Sequence, residues 1–148
     1  MRTLERLTVT GYKSIRELRD FELGDLNVLI GANGAGKSNF LSVFKMLKAL
    51  ANNRLQLFIG QNRWADYLLH FGVKYTEEIQ VGLTLGAAIE IFEYEFRLKP
   101  VISSEMALHD ERCANRLRRE ETLNWTDMGS GQRKQNFLFK TLGGKERF

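Results

Sequence analysis

A short apolar run followed by a glycine-rich octapeptide constrains the fold of this chain more than any other feature. Residues 26–30 (LNVLI) lead directly into GANGAGKS at 31–38. From Lys37 to Ala51 the apolar residues recur at helical spacing, which predicts an amphipathic helix of about four turns. A strand, a glycine loop and a helix in that order predict an α/β fold, with residues 26–30 as a strand buried on both faces.

The octapeptide fits G-x-x-x-x-G-K-[ST], the pattern of the phosphate-binding loop or Walker A motif. Its glycines allow backbone conformations closed to other residues and bring N–H groups close to an anion. Lys37 is predicted to contact the β- and γ-phosphates, and Ser38 to offer its hydroxyl to Mg²⁺. The predicted ligands are ATP and Mg²⁺, and the alternative is a turn that binds nothing. The predicted nucleotide-binding residues are Gly31, Ala32, Asn33, Gly34, Ala35, Gly36, Lys37, Ser38 and Asn39.

Two short strands are predicted before the loop. Residues 4–10 alternate apolar and polar side chains, and residues 16–23 continue beyond the polar turn GYKS. Because that turn cannot hold a crossover helix, the two strands are predicted to be antiparallel. After the long helix, which Asn52 and Asn53 are predicted to end, residues 61–71 show a weaker helical pattern.

The middle of the chain carries the clearest β pattern. Residues 79–85 and 92–98 alternate strictly, which predicts a hairpin with one buried and one solvated face. Pro100 is predicted to limit its second strand, residues 101–108 to return as a third, and residues 137–139 to form one more. This divides the chain into a Walker A unit (1–51), a β-meander (75–109) and an unassigned remainder (110–148).

Composition narrows the cellular setting. The chain has 148 residues, a formal net charge of +4 and a pI near 9.3, which permits a polyanion such as DNA but equally suits an ordinary solvated surface. Cys113 is the single cysteine, so an internal disulfide is excluded. There is no apolar run long enough to span a bilayer and no secretory leader pattern, so we expect a cytoplasmic setting without a membrane partner.

Residues 8–47 resemble the N-terminal ATPase segment of the RecF/SMC/OLD-like AAA proteins. The resemblance is carried by the Tyr12-Lys13-Ser14 turn, the short strand after it, and the segment from Asn27 to Asn39. The following hairpin and VISSEMAL at 101–108 are similar to the β-meander of bacterial ATPases that accompany or contain OLD-family nucleases. Together the resemblance covers residues 3 to about 108.

The resemblance implies an ABC-type ATPase head, in which an antiparallel β-meander is layered on a P-loop strand–helix core. Such heads form head-to-head homodimers with ATP between the subunits, and they act on DNA ends, gaps or foreign DNA. DNA repair, DNA processing or phage defence is therefore the expected setting. The resemblance also makes Gln61 the candidate for a glutamine that ligates Mg²⁺.

Several parts of such a head have no counterpart in this sequence. No stretch of four apolar residues ends in Asp-Glu, so the Walker B carboxylates are absent and no catalytic residue is identified. The signature motif, D-loop and switch histidine are absent as well. The chain is therefore expected to be the N-terminal part of a longer ATPase, incomplete for hydrolysis without a missing C-terminal half or a partner subunit. The alternatives are the ATPase part of an OLD-type DNA nuclease, or a nucleotide-dependent interaction module without hydrolysis.

Three further features favour ordinary structural roles. Met128-Gly129-Ser130-Gly131-Gln132 has the wrong residue order for the LSGGQ signature of ABC ATPases and is predicted to be a turn. His70, His109 and Cys113 lack the spacing of metal ligands. The carboxylates Glu90, Glu93 and Glu95 resemble a set of paired acids, but Glu93 and Glu95 share one strand face, which is predicted to be the solvated side of the hairpin.

Overall fold

A computed structural model describes residues 2–62, 64–101 and 105–129, without the side chain of Trp64. Its elements follow the sequence predictions at the first two strands, the long helix and the hairpin. In chain order they are β1 (Thr3–Tyr12), β2 (Ile15–Glu22), α1 (Lys37–Ala51), α2 (Leu55–Gln61), α3 (Trp64–Leu68), β3 (Ile79–Gly86), β4 (Glu90–Pro100), β5 (Met106–Leu117) and β6 (Trp125–Asp127).

The strands form one antiparallel sheet of six strands in the order β2-β1-β3-β4-β5-β6. The predicted antiparallel pairing of the first two strands is confirmed, since the two-residue loop Lys13-Ser14 joins Tyr12 to its partner Ile15. The predicted hairpin is confirmed as β3 and β4, which pair from Ile79 with Leu98 to Gly86 with Ile91. The Walker A unit and the β-meander therefore contribute strands to the same sheet.

One face of the sheet carries the hydrophobic core. Alternate residues of β3 and β4 are buried, and the residues between them are more exposed, as the period-2 pattern predicts. The helices pack on this buried face, and their apolar residues join those of the strands in one cluster. The largest buried members include Tyr12, Met46, Leu50, Ile59, Leu68, Tyr94, Phe96, Leu98 and Met106.

Helix α1 matches its predicted bounds, whereas the second predicted helix is partly wrong. Residues 61–71 contain the short α3, but α2 already begins at Leu55 and ends at Gln61. Leu55, Phe58 and Ile59 are buried at the spacing of one helix face, and this packing accounts for the earlier start.

Strand β5 changes the side it presents to the core partway along its length. Met106 and Leu108 are buried, and beyond a β-bulge opposite Arg97 and Leu98 the buried positions continue at Glu111 and Cys113. A bulge adds one residue to one strand and so reverses the alternation beyond it. This reversal explains why the β pattern weakens near Asp110 in the sequence although the strand continues to Leu117.

The predicted buried strand at residues 26–30 is not formed within the described part of the chain. Leu26, Val28 and Ile30 are 84%, 70% and 91% exposed, and no backbone hydrogen bond joins this segment to another described residue. The prediction of burial is wrong because a strand buried on both faces needs neighbouring strands to pair with. Both edges of β1 are already paired, by β2 and β3, and no described strand lies beside residues 26–30. The P-loop strand–helix core is thus present as helix and loop alone in the described residues.

The predicted strand at 137–139 lies outside the described residues, as do Ser130, Gly131 and Gln132 of the predicted turn. None of the helices in the described part of the chain has the length and apolar character that crossing a bilayer requires.

Candidate nucleotide-binding site

The glycine loop adopts a conformation that requires glycine at two of its positions. Gly34 and Gly36 have φ values of +87° and +89°, which place them in the region that side chains with a Cβ rarely adopt. Gly36 also lies against the β1–β2 turn, where an added Cβ would come within 3.0 Å of the Ser14 hydroxyl oxygen. The loop therefore enters α1 along a path that a larger residue at position 36 would disturb.

The N-terminus of α1 is open to an anion. Gly36 occupies the cap position, no side chain caps the helix, and its first turn contains no acidic residue. The first backbone N–H groups of a helix have no acceptor within it, and the helix dipole makes this end positive. These are the conditions under which a helix N-terminus binds phosphate.

Lys37 folds across the loop that it follows. Its ammonium donates hydrogen bonds to the carbonyl oxygens of Gly31 at 2.5 Å and Ala32 at 2.8 Å. The next residue, Ser38, is exposed, with its hydroxyl in the first turn of α1. The side chain that would meet the phosphates is therefore already held against the loop, and it can exchange carbonyl oxygens for phosphate oxygens.

The β1–β2 turn contacts the start of α1 through hydrogen bonds, a role that was not predicted from the sequence. The Asn39 amide donates to the Ser14 hydroxyl at 2.8 Å, so this predicted nucleotide contact has its side chain engaged with the turn. One turn further along α1, the buried Tyr12 hydroxyl lies 2.8 Å from the Ser42 hydroxyl oxygen. The Tyr12-Lys13-Ser14 motif was the available signal for this contact, but it did not reveal that the turn touches the loop.

Gln61, the second predicted Mg²⁺ ligand, lies at the C-terminal end of α2. It lines a groove together with Lys13, Lys45 and Lys48, and Ser38 is not among the described residues that line this groove. A cationic environment favours anions over metal ions. A role of Gln61 in holding Mg²⁺ stays a prediction.

The two histidines and the cysteine occupy separate places. The His70 ring Nδ1 lies 2.7 Å from the backbone carbonyl oxygen of Lys13, and the His109 ring Nδ1 lies 3.1 Å from a carboxylate oxygen of Asp110. Cys113 is buried, and burial, with a smaller effect of the Glu111 carboxylate, raises the pKa of its thiol. Residues 2–62, 64–101 and 105–129 contain no group of three ligands that could hold a metal ion.

Glu93 and Glu95 lie on the open face of the sheet, as predicted, whereas Glu90 begins β4 in the same phase as the buried Phe92. Glu95 accepts a hydrogen bond from Arg112 at 2.8 Å, and Glu93 accepts one from the Thr84 hydroxyl at 2.8 Å. Glu90 pairs with Arg2 at 3.2 Å. These contacts are ordinary surface pairs and do not assemble an acidic site.

The loop geometry, the open helix end and the folded-back lysine are typical of a P-loop nucleotide-binding module of the ATPase kind. The family model described as "AAA domain, putative AbiEii toxin, Type IV TA system" matches residues 26–143, which is most of the chain, and the chain belongs to this family. AAA-type ATPases generally use ATP with Mg²⁺. A search of the curated proteins finds no match.

Proposed function

We propose that the chain binds ATP through the loop at residues 31–36 and the first turn of α1. The observation that carries this proposal is the position of Lys37, whose ammonium lies on the carbonyls of Gly31 and Ala32 beside the open end of the helix. The backbone N–H groups of the first turn would hold the phosphates from one side. Lys37 would neutralise the β- and γ-oxygens from the other.

Ser38 is the proposed protein ligand for Mg²⁺. Its hydroxyl is exposed next to Lys37, and a metal that keeps several of its own waters needs few protein ligands. When bound, Mg²⁺ bridges phosphate oxygens and offsets their charge. Gln61 is the weaker candidate for a second ligand, because its neighbours in the groove are cations.

We further propose that the chain is part of a RecF/SMC-like ATPase that works on DNA in repair, processing or phage defence, in a cytoplasmic setting. The resemblance of residues 8–47 supports this assignment, and the contact of Ser14 with Asn39 and Gly36 gives its Tyr12-Lys13-Ser14 motif a physical role. In this proposal the ATP-bound form pairs head to head with a second copy. Hydrolysis needs Walker B carboxylates and a signature motif supplied from outside this sequence.

Two alternatives use the same nucleotide site. In one, the chain is the ATPase part of an OLD-type DNA nuclease. In the other, it is an interaction module that binds ATP and a partner without hydrolysis. Both leave the role of Lys37 unchanged, so the nucleotide-binding test stands independently of the choice between them.

Titration of a fluorescent ATP analogue with Mg²⁺ tests the proposal. Replacing Lys37 by alanine removes a charge-assisted contact worth about 1.5–3 kcal/mol, so affinity should fall roughly 10- to 150-fold. The matched control is Lys74→Ala, which removes one exposed lysine far along the chain and should leave affinity unchanged. Equal affinity in the parent and in Lys37→Ala would mean that the loop is only a turn.

A further inference from the structure

The charged residues in the described lining of a groove beside α1 and α2 are all positive. The groove has a volume of about 610 Å³ and is bounded by the β1–β2 turn, α1 and α2. Among the described residues that line it, four are cations and none is a carboxylate. We call it the basic groove and define it by those cations, Lys13, Lys45, Lys48 and Arg54.

Three separate elements place the four cations around the basic groove. Lys45 and Lys48 are exposed one turn apart on α1, and Arg54 precedes the first residue of α2. Lys13 comes from the β1–β2 turn, and its ammonium donates to the Asn62 side-chain oxygen at 2.9 Å. Burial, and then the positive charge of Lys45, lower the pKa of Lys13, as expected where cations converge.

The opposite face of the sheet, in contrast to the groove, carries side chains of both charges. Arginines there alternate with carboxylates and pair with them, for example Arg6 with Glu22 at 2.9 Å and Arg112 with Glu95 at 2.8 Å. The cations of the basic groove form no ion pair with any described residue. The sequence contains no aspartate or glutamate between Asp25 and Asp66, so the surrounding helices supply no local counter-charge.

We propose that the basic groove binds the phosphodiester backbone of a nucleic acid. Lysine, arginine and side-chain amides are the groups that contact phosphate oxygens, and the groove adds the amides of Asn52, Gln61 and Asn62 to its cations. The groove is concave with Lys13 partly buried, so a flat membrane surface would not reach all four cations. Among the described lining residues Phe58 is the one aromatic, and it is buried and presents no exposed face for base stacking. Binding should therefore be independent of base sequence.

The basic groove meets the nucleotide site at the β1–β2 turn. Lys13 faces the groove, and the adjacent Ser14 contacts Asn39 and approaches Gly36 of the loop. The inference gives the proposed work on DNA a binding site, and in that part it rests on the proposed function, but it does not depend on ATP binding. Nucleic acid binding is therefore measured without nucleotide, and a failure of either proposal leaves the other standing.

Fluorescence anisotropy of the full chain with labelled oligonucleotides tests the inference. The probes are a DNA duplex of about 20 base pairs, a DNA single strand and an RNA single strand of the same length, titrated between about 50 and 200 mM salt. The test variant is Lys45→Ala/Lys48→Ala. The matched control is Arg16→Ala/Lys74→Ala, which removes two exposed cations outside the groove.

The salt dependence of binding gives the expected size of the loss in affinity. Contacts from four cations to a duplex predict a log–log slope of about −3.6, so affinity should fall about 150-fold over that salt range. The test variant keeps two contacts, so its slope should fall to about −1.8 and its loss to about 12-fold. The control should keep the parent slope, and Lys45→Arg/Lys48→Arg should restore it because both charges return. Comparison of the three probes identifies which nucleic acid supplies the backbone.

Several results would overturn the inference. The first is equal weakening of the test and control variants, which would mean diffuse attraction to net charge. The second is an unchanged slope in the test variant while thermal melting shows that it is folded. The third is displacement of the probe by polyglutamate or by phosphatidylserine vesicles as effectively as by unlabelled duplex, which would assign the groove to an acidic protein or a membrane. The fourth is no binding of any probe at low salt.

Discussion

Replacing Ser42 by alanine is expected to destabilise the chain more than removing the hydroxyl of its partner Tyr12. The Ser42 hydroxyl donates to the Asn39 carbonyl oxygen at 2.7 Å, so the buried Tyr12 hydroxyl must be the donor in the 2.8 Å contact between the two side chains. In Ser42→Ala that donor keeps only the carbonyl oxygen of residue 42, at 3.4 Å. Leaving a buried hydroxyl poorly satisfied costs about 1–3 kcal/mol.

Tyr12→Phe removes the donor itself and leaves no buried polar group without a hydrogen-bond partner. Ser42 keeps its bond to Asn39, so the loss is that of one net hydrogen bond, about 0.5–1.5 kcal/mol. The double variant should cost less than the two single losses together, because it removes a donor and its acceptor at once. The order of stability is therefore a test of which atom donates.

Urea unfolding of the three variants measures these free energies. Ser38→Ala is the matched control: it makes the same substitution in the same helix at an exposed position, and it should change stability by no more than about 0.5 kcal/mol. The reasoning is refuted if Tyr12→Phe costs more than Ser42→Ala, or if the two losses add.

The stability contributed by buried Tyr12 is expected to depend on pH in the alkaline range. Burial raises the pKa of Tyr12 from 10.0 to about 12, and the hydrogen bond to Ser42 only partly opposes this. Because the folded pKa lies above the unfolded one, the stability that depends on neutral Tyr12 is complete below about pH 10 and disappears as pH rises towards 12, a loss of roughly 3 kcal/mol. Tyr94, whose pKa burial and Glu111 also raise, adds to the alkaline loss of the parent. Tyr12→Phe should therefore lose stability less steeply over this window, and an identical profile in both proteins would contradict the burial argument.

Three other results are expected. Gly36→Ala forces alanine to φ +89°, so it should cost about 1 kcal/mol of stability and weaken ATP-analogue binding. Gly60→Ala in α2 is the matched control: its added methyl meets open space, so it should stabilise the chain by about 0.4–1 kcal/mol. Thermal melting measures both changes in stability, and titration with the ATP analogue measures the change in affinity. With ATP and Mg²⁺ the parent should release phosphate no faster than Lys37→Ala, and steady turnover above that variant would show that the chain positions water unaided. The exposed apolar segment 26–30 should cause concentration-dependent association that Ile30→Lys reduces, and a parent that sediments as a monomer at all concentrations would count against this.

The sequence predicted those elements whose pattern comes from a single local period. Helix α1 begins at Lys37 and ends at Ala51 as predicted, because its apolar residues follow one helix face and Asn52 follows the last buried turn. The hairpin of β3 and β4 was equally predictable from the sequence, since its two strands keep one phase of alternation over most of their length. The loop was predictable because its chemistry demands particular residues at fixed spacing.

Features that depend on tertiary contacts were not predictable in this way. The extension of β5 to Leu117 was hidden because the bulge reverses the alternation and places Glu111 in the core, where it accepts a hydrogen bond from Tyr94 at 2.6 Å. The apolar character of residues 26–30 indicated burial, but burial requires a neighbouring strand, which pattern alone does not supply. The basic groove left a sequence signal, the absence of acidic residues between Asp25 and Asp66, but not the contribution of Lys13 from a different element.

The separation of charge between the two sides of the molecule has a kinetic consequence. A surface with paired charges produces little field beyond its own atoms, whereas four unopposed cations project a positive potential for about a Debye length, ~8–10 Å at physiological salt. An approaching polyanion is therefore turned towards the helical side before any contact forms. Added salt should slow this encounter much more than it speeds departure, so ionic strength would govern how often a complex forms more than how long it lasts.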